Sequence, residues 1–196
     1  AHGGTRDGAK GALQLNGATV NNGTLTGNLL AYGDTSTLNH VAVDENGTLD
    51  LQAHAIAQGT ISIDGTITVQ NNRWLYNESA EDVVALSGTG MLNLSGDGTS
   101  GYLGTAKNRG SFTIGKDLTV TTRGFSIGYI YANLTNAGII TTTAGDLSLN
   151  GNTIENIGSI VTGGKAITLQ NATVNGGTLD GANGFLRLNG ATIHNG

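Results

Sequence analysis

The chain has 196 residues, of which 33 are Gly, none is Pro or Cys, one is Met and one is Trp; 12% are charged and the formal net charge is −5. Low charge with 37% hydrophobic content argues against disorder. Missing proline and the lack of a three-residue glycine period exclude collagen, zero Cys excludes a disulfide scaffold, and no apolar run reaches the ~18 residues of a membrane span. An acidic balance with scattered basic residues removes the electrostatic footprint of a nucleic-acid binder.

The first patterned segment is ALQLNGATVNNGTL (12–25), in which Leu13-x-Leu15 is followed by an Asn-Gly step and isolated aliphatics at Val20 and Leu25. Weaker paired aliphatics follow at Leu49/Leu51, Ile61/Ile63 and Ile67/Val69. NNRWLYNESAEDVVALSGTG (71–90) then breaks the pattern and holds the only Trp. Its ESAEDVVAL stretch has helical character, with Ser79 placed as an N-cap and Glu81 and Asp82 near the positive end. A short helix is expected there, packed back by Val83, Val84 and Leu86. Pairs resume at Leu92/Leu94 and Leu118/Val120 around a second irregular part at 96–112, and a third irregular part carries Tyr129 and Tyr131. Beyond these the repeat is plain. Leu147-x-Leu149 maps onto Ile167-x-Leu169 and Leu186-x-Leu188, Ile154 onto Val174 and Ile193, and Ile160 onto Leu179. Leu134 and Ile140 stand one such period ahead, and the segment at 12–25 nearly repeats at 167–179.

Alternation of this kind is the signature of short strands with one buried face. Strands of three to five residues are too short to survive alone, so the pattern predicts identical coils stacked on one another. A period of about 20 residues, split among three strands and their corners, fits an all-β, right-handed parallel β-helix (a β-solenoid) with a non-repeat excursion at about 71–112. Leucine-rich repeats share the period, but Gly and Thr fill the positions their helices would need. Asn-Gly steps at Asn16, Asn22, Asn46, Asn150, Asn175, Asn183, Asn189 and Asn195 supply tight corners. Proline is excluded because nearly every N–H is needed for a ladder. About nine or ten coils at ~4.8 Å make a rod of roughly 45 Å. The expected organisation is one β-helix segment over 1–196, cut from a longer repetitive protein, with 71–90 as an excursion.

The strings LTNAGIITTTAGDLSL, LNGATVNNGTL and NIGSIVTGGKAITL resemble the repeats of filamentous haemagglutinin-type exoproteins. That family comprises large adhesins and contact-dependent toxin-delivery proteins exported by two-partner secretion in Gram-negative bacteria. The resemblance covers 12–28 and 113–196 well, 29–70 loosely, and 71–112 not at all. It implies a β-helical shaft, a secreted or cell-surface location, and a cell-surface receptor, protein or glycan, on a host or neighbouring cell. The family repeat carries no catalytic residue to transfer.

Chemistry is sparse. Parallel β-helices include polysaccharide lyases and glycosidases, which need paired carboxylates. Asp44/Glu45 and Glu81/Asp82 are adjacent, and Asp50 and Asp64 were candidates to meet on nearby coils, yet solvated surface acids are the better expectation. His2, His40, His54 and His194 lack metal-ligand spacing, so neither metal nor cofactor is expected. Six N-x-S/T sequons stand near their chance number. Threonines at Thr66/Thr68, Thr119/Thr121 and Thr141/Thr143 are not one coil apart, as an ice-binding array would require. The best candidates are aromatic: Arg73, Trp74, Tyr76, Tyr102, Tyr129 and Tyr131 fall where the repeat is least regular, and Trp, Tyr and Arg are enriched at binding hot spots. The expectation is a non-enzymatic, monomeric adhesin shaft or receptor-binding section that enters no membrane. A polysaccharide-cleaving enzyme and a passive spacer are the alternatives.

Overall fold

A computed structural model describes residues 4–96, 98–105 and 110–195. Among the described residues there are 23 strands and no helix, and the strands wind as a parallel β-solenoid of about nine coils. Each coil contributes to three faces. On face A, Leu29, Leu49, Ile67, Leu92, Val120, Ile140 and Ile160 stack in register. Face B carries the column Ala55, Leu75, Leu103, Ile130, Leu149, Leu169 and Leu188. Face C carries Val84, Phe112, Leu134, Ile154, Val174 and Ile193. The three columns converge on one continuous core, in which nearly every member inside the end coils is fully buried. No strand here could stand alone; each is held by the copies above and below it.

The repeat register read from the sequence holds at the C-terminal end. Leu147 pairs with Ile167 and Ile167 with Leu186, while Ile154, Val174 and Ile193 form one column. The likeness between 12–25 and 167–179 turns out to be a third of a coil out of phase. Leu13 pairs with Leu29 on face A, whereas its look-alike Ile167 lies on face B; Val20 is on face B and Val174 on face C. One strand-and-corner motif serves any face, because each face demands the same alternation and the same turn.

The irregular region belongs to the stack more fully than its sequence suggests. Between Leu149 and Leu169 a coil takes 20 residues, whereas Leu75 to Leu103 takes 28 and Leu103 to Ile130 takes 27. Surplus of the first of these is housed at corners, in a loop at 77–82 and in a hairpin pairing Ser95 with Ser100. Asp97 and residues 106–109, part of the expected excursion at 96–112, lie outside the described residues.

The expected short helix in 71–90 does not form. Ser79 Oγ does accept from the N–H groups of Glu81 and Asp82 at 3.3 and 3.0 Å, as an N-cap would. No helix follows, because Val83–Ser87 is a strand whose burial alternates and whose Leu86 pairs with Ile61 on one side and Ile114 on the other. Two flanking ladders outweigh a weak local helix preference.

Corners stack as tightly as faces. Thr66 N–H donates to Gly47 O at 3.0 Å and Met91 N–H to Gly65 O at 3.0 Å, so successive coils meet backbone to backbone. A Cβ at Gly65 would come closer than 3.0 Å to the Gly47 carbonyl oxygen, which is why this column is glycine. At the end of face C, Asn136 and Asn156 point inward and are buried; Asn136 Nδ2 donates to Asn156 Oδ1 at 2.8 Å, and Asn156 Nδ2 reaches Gly176 O and Thr178 O at 3.3 Å.

Candidate functional site

Residues flanking the buried column of face B point outward in two rows. One row runs Trp74, Tyr102, Tyr129, Ser148, Thr168 and Arg187, in register from coil to coil. Two positions further along each strand the second row holds Tyr76 and then, below it, Gly104, Tyr131, Asn150, Gln170 and Asn189. Aromatic side chains therefore dominate the upper half of these rows, and polar ones fill the lower half as far as Arg187.

Four rings close into one cluster. Trp74 stacks on Tyr102 with centroids 4.1 Å apart and planes 23° apart, and Tyr102 stacks on Tyr129 at 5.1 Å and 11°. Tyr131 lies 5.9 Å from Trp74, 6.3 Å from Tyr102 and 6.1 Å from Tyr129. Such near-equal distances mean that its ring rises about one coil, to the level of Tyr102. Gly104, in the same row, has φ +74° and packs against the next coil so closely that a Cβ there would lie 2.7 Å from the backbone nitrogen of Ala132. All four rings are half-buried. Their inner faces are spent on one another, which leaves ring edges, hydroxyls and the outer face of Tyr129 toward solvent.

The other two candidates sit at the margin. Arg73 turns to the preceding coil, where its Nε donates to Gln52 O at 3.1 Å. Tyr76 makes no ring contact, since the position below it in its row is Gly104. Above Trp74 the row continues to His54, whose Nδ1 accepts from Trp74 N–H at 3.2 Å. Burial, and then the nearby Arg73 guanidinium, lower the His54 pKa below its ordinary value. The Tyr102 phenol is pushed up by burial first and then by the neighbouring phenols of Tyr129 and Tyr131. Burial and Glu78 raise Tyr76 likewise.

The acidic candidates are separated. Asp50 faces outward on face A, where it accepts from Gln52 Nε2 at 3.0 Å and Gln70 Nε2 at 2.5 Å. Asp64 lies at the corner after face C and accepts from the N–H and Oγ of Thr89 at 3.0 and 3.3 Å. These carboxylates clamp neighbouring coils. Among the described residues no group of three or more His, Cys, Asp or Glu is placed to hold a metal ion. Two sequon asparagines, Asn77 and Asn93, are buried and so closed to glycan attachment in the folded chain.

Local pattern carried no direct sign of the ring cluster's closeness, because 27- and 28-residue coils hide the register of Trp74, Tyr102 and Tyr129. Nor did it mark Gly104 among the other glycines, or the polar row below Tyr129. Only the offset from Ile130 to Leu149 in the regular coils pointed to Ser148. The chain matches no family model, no curated protein and no solved structure.

Proposed function

We propose that the chain is a cell-surface-binding segment of a secreted, filamentous haemagglutinin-type exoprotein, and that it acts by contact without catalysis. The observation that carries this reading is the four-ring cluster of Trp74, Tyr102, Tyr129 and Tyr131, half exposed on one face of a stiff rod. The regular coils below carry Ser148, Thr168, Asn150 and Gln170 at the same outward positions, so the repeat itself does not call for aromatics there. Aromatic groups held rigid on a scaffold lose little entropy on binding, which is why they serve as anchors at interfaces. Phe125, 89% exposed at the corner four residues ahead of Tyr129, adds exposed apolar surface.

Binding of the labelled chain to bacterial and host cells tests the reading. The variants Trp74→Ala and Tyr129→Ala should lose most cell binding, while Thr113→Ala on face C should keep it. Equal binding by all three variants, with folds intact by circular dichroism, would reduce the segment to a passive spacer.

A further inference from the structure

Resting on that reading, we propose that the step on face B where the ring cluster ends, bounded by Tyr129 and Tyr131 above and by Ser148, Asn150, Thr168 and Gln170 below, is a binding site for a neutral glycan. The step follows from the register. Tyr129 is the last ring of its row, and its partner on the next coil is Ser148, followed by Thr168. One side of Tyr129 is stacked on Tyr102 at 5.1 Å. The other side looks onto a hydroxymethyl group, so a flat aromatic face is left above a short side chain.

Hydrogen-bonding groups lie directly below that face. Asn150 Nδ2 donates to Ser148 Oγ at 3.0 Å, which fixes the serine hydroxyl. Gln170 Oε1 accepts from Asn189 Nδ2 at 2.7 Å, which holds the glutamine amide in one orientation. Among the described residues neither Gln170 Nε2 nor the Thr168 hydroxyl has a protein partner, and both residues are half-buried. These are preoriented donors and acceptors at the foot of an apolar ledge.

Charge selects the ligand. From Trp74 to Gln170 the two rows contain no ionised side chain. Arg73 is engaged with the Gln52 carbonyl, and Arg187, a coil beyond Thr168, lies 5.8 Å from the Phe185 ring centre. A sulfated or carboxylated ligand would surrender its hydration without a counter-charge to replace it. An apolar peptide side chain would need a pocket, whereas this is a flat sheet face, and it would cover the Thr168 and Gln170 groups without satisfying them. A pyranose matches both halves. Its C–H face packs on the outer face of Tyr129, and its hydroxyls meet the hydroxyl and amide row. Coils spaced by about 4.8 Å present further polar levels to an oligosaccharide lying along the rod.

The test uses the full chain. Trp74, the only Trp, lies 4.1 Å from Tyr102 and reports on the cluster by its fluorescence. Neutral hexose and N-acetylhexosamine oligomers, with sulfated oligosaccharides for comparison, are titrated by fluorescence and calorimetry. At least one neutral oligomer should bind, with affinity reduced at least ~10-fold in Tyr129→Ala and in the Thr168→Ala/Gln170→Ala double variant. The double variant removes outward polar groups and one hydrogen bond, from exposed Asn189, so a parent-like circular dichroism spectrum and melt, measured beside the titration, separate its loss of binding from misfolding. Absence of neutral-glycan binding, unchanged affinity in the double variant, or tighter binding of sulfated oligomers would each overturn the assignment. Cell binding measured in parallel separates the two readings. Ring-dependent cell binding without glycan binding removes the glycan and leaves a protein receptor, whereas loss of both removes the binding function itself.

Discussion

Tyr102→Ala removes the ring at the middle of the face-B cluster, and its cost follows from the contacts it deletes. Tyr102 stacks on Trp74 at 4.1 Å and on Tyr129 at 5.1 Å. Each aromatic pair contributes about 0.5–1.5 kcal/mol beyond area burial, so the two contribute ~1–3 kcal/mol. Half-burial of the ring adds about 1 kcal/mol, taken as half of what full burial of a large side chain supplies. The sum is about 2–4 kcal/mol. In a chain of this size 1 kcal/mol corresponds to ~2–4 °C, which puts the expected fall in Tm at about 5–15 °C. Tyr102→Phe keeps both stacks and should cost no more than about 1.5 kcal/mol, the worth of one hydrogen bond. Thermal unfolding followed by far-ultraviolet circular dichroism measures both variants. Hydrogen exchange at the Tyr131 amide, which donates to Leu103 O at 2.8 Å, shows whether the loss is local. A melt of Tyr102→Ala within about 1 °C of the parent would refute the claim that the stack stabilises these long coils.

Three further outcomes are expected. Gly65→Ala forces a Cβ against the Gly47 carbonyl and should cost about 1–3 kcal/mol or more in thermal unfolding, whereas Gly181→Ala, whose nearest contact would be 3.3 Å, should melt close to the parent. Because burial lowers the His54 pKa, the unfolded chain takes up this proton first as pH falls. The stability it carries is thus complete above its ordinary value of 6.5 and declines as pH drops from there through the lowered folded-state value; Tm against pH should show this decline, and His54→Gln should flatten it. Asn156→Ala removes the 2.8 Å partner of buried Asn136 Nδ2, which then keeps only the long contact to Ser159 O at 3.4 Å, and should lower stability by about 1–3 kcal/mol, read by denaturant unfolding.

Particular residues show what was legible in the chain. Leu147, Ile167 and Leu186 announce a column because identical coils need identical spacing, and they pair as that spacing requires. Ser79 and Val83–Ser87 misled, since a local cap and a short apolar run fit either a helix or a strand. Their outcome rests on Ile61 and Ile114, which flank Leu86 from distant parts of the sequence. The candidate aromatics were identifiable by type, yet their grouping was not: Arg73 and Tyr76 stand aside while Tyr131 rises toward Trp74.

The chain's local pattern dictates the solenoid. Its alternation, period, glycine corners and lack of proline are local, repeated instructions, and repetition makes each one reinforce the next. Packing between coils settles the rest. Which third of a coil a segment occupies, where a 28-residue coil stores its surplus, and which rings meet all depend on residues that are distant in the chain and adjacent only once it is wound. Gly104 is the clearest instance, because its missing side chain acquires meaning only from the Ala132 backbone of the next coil, which a Cβ would meet at 2.7 Å.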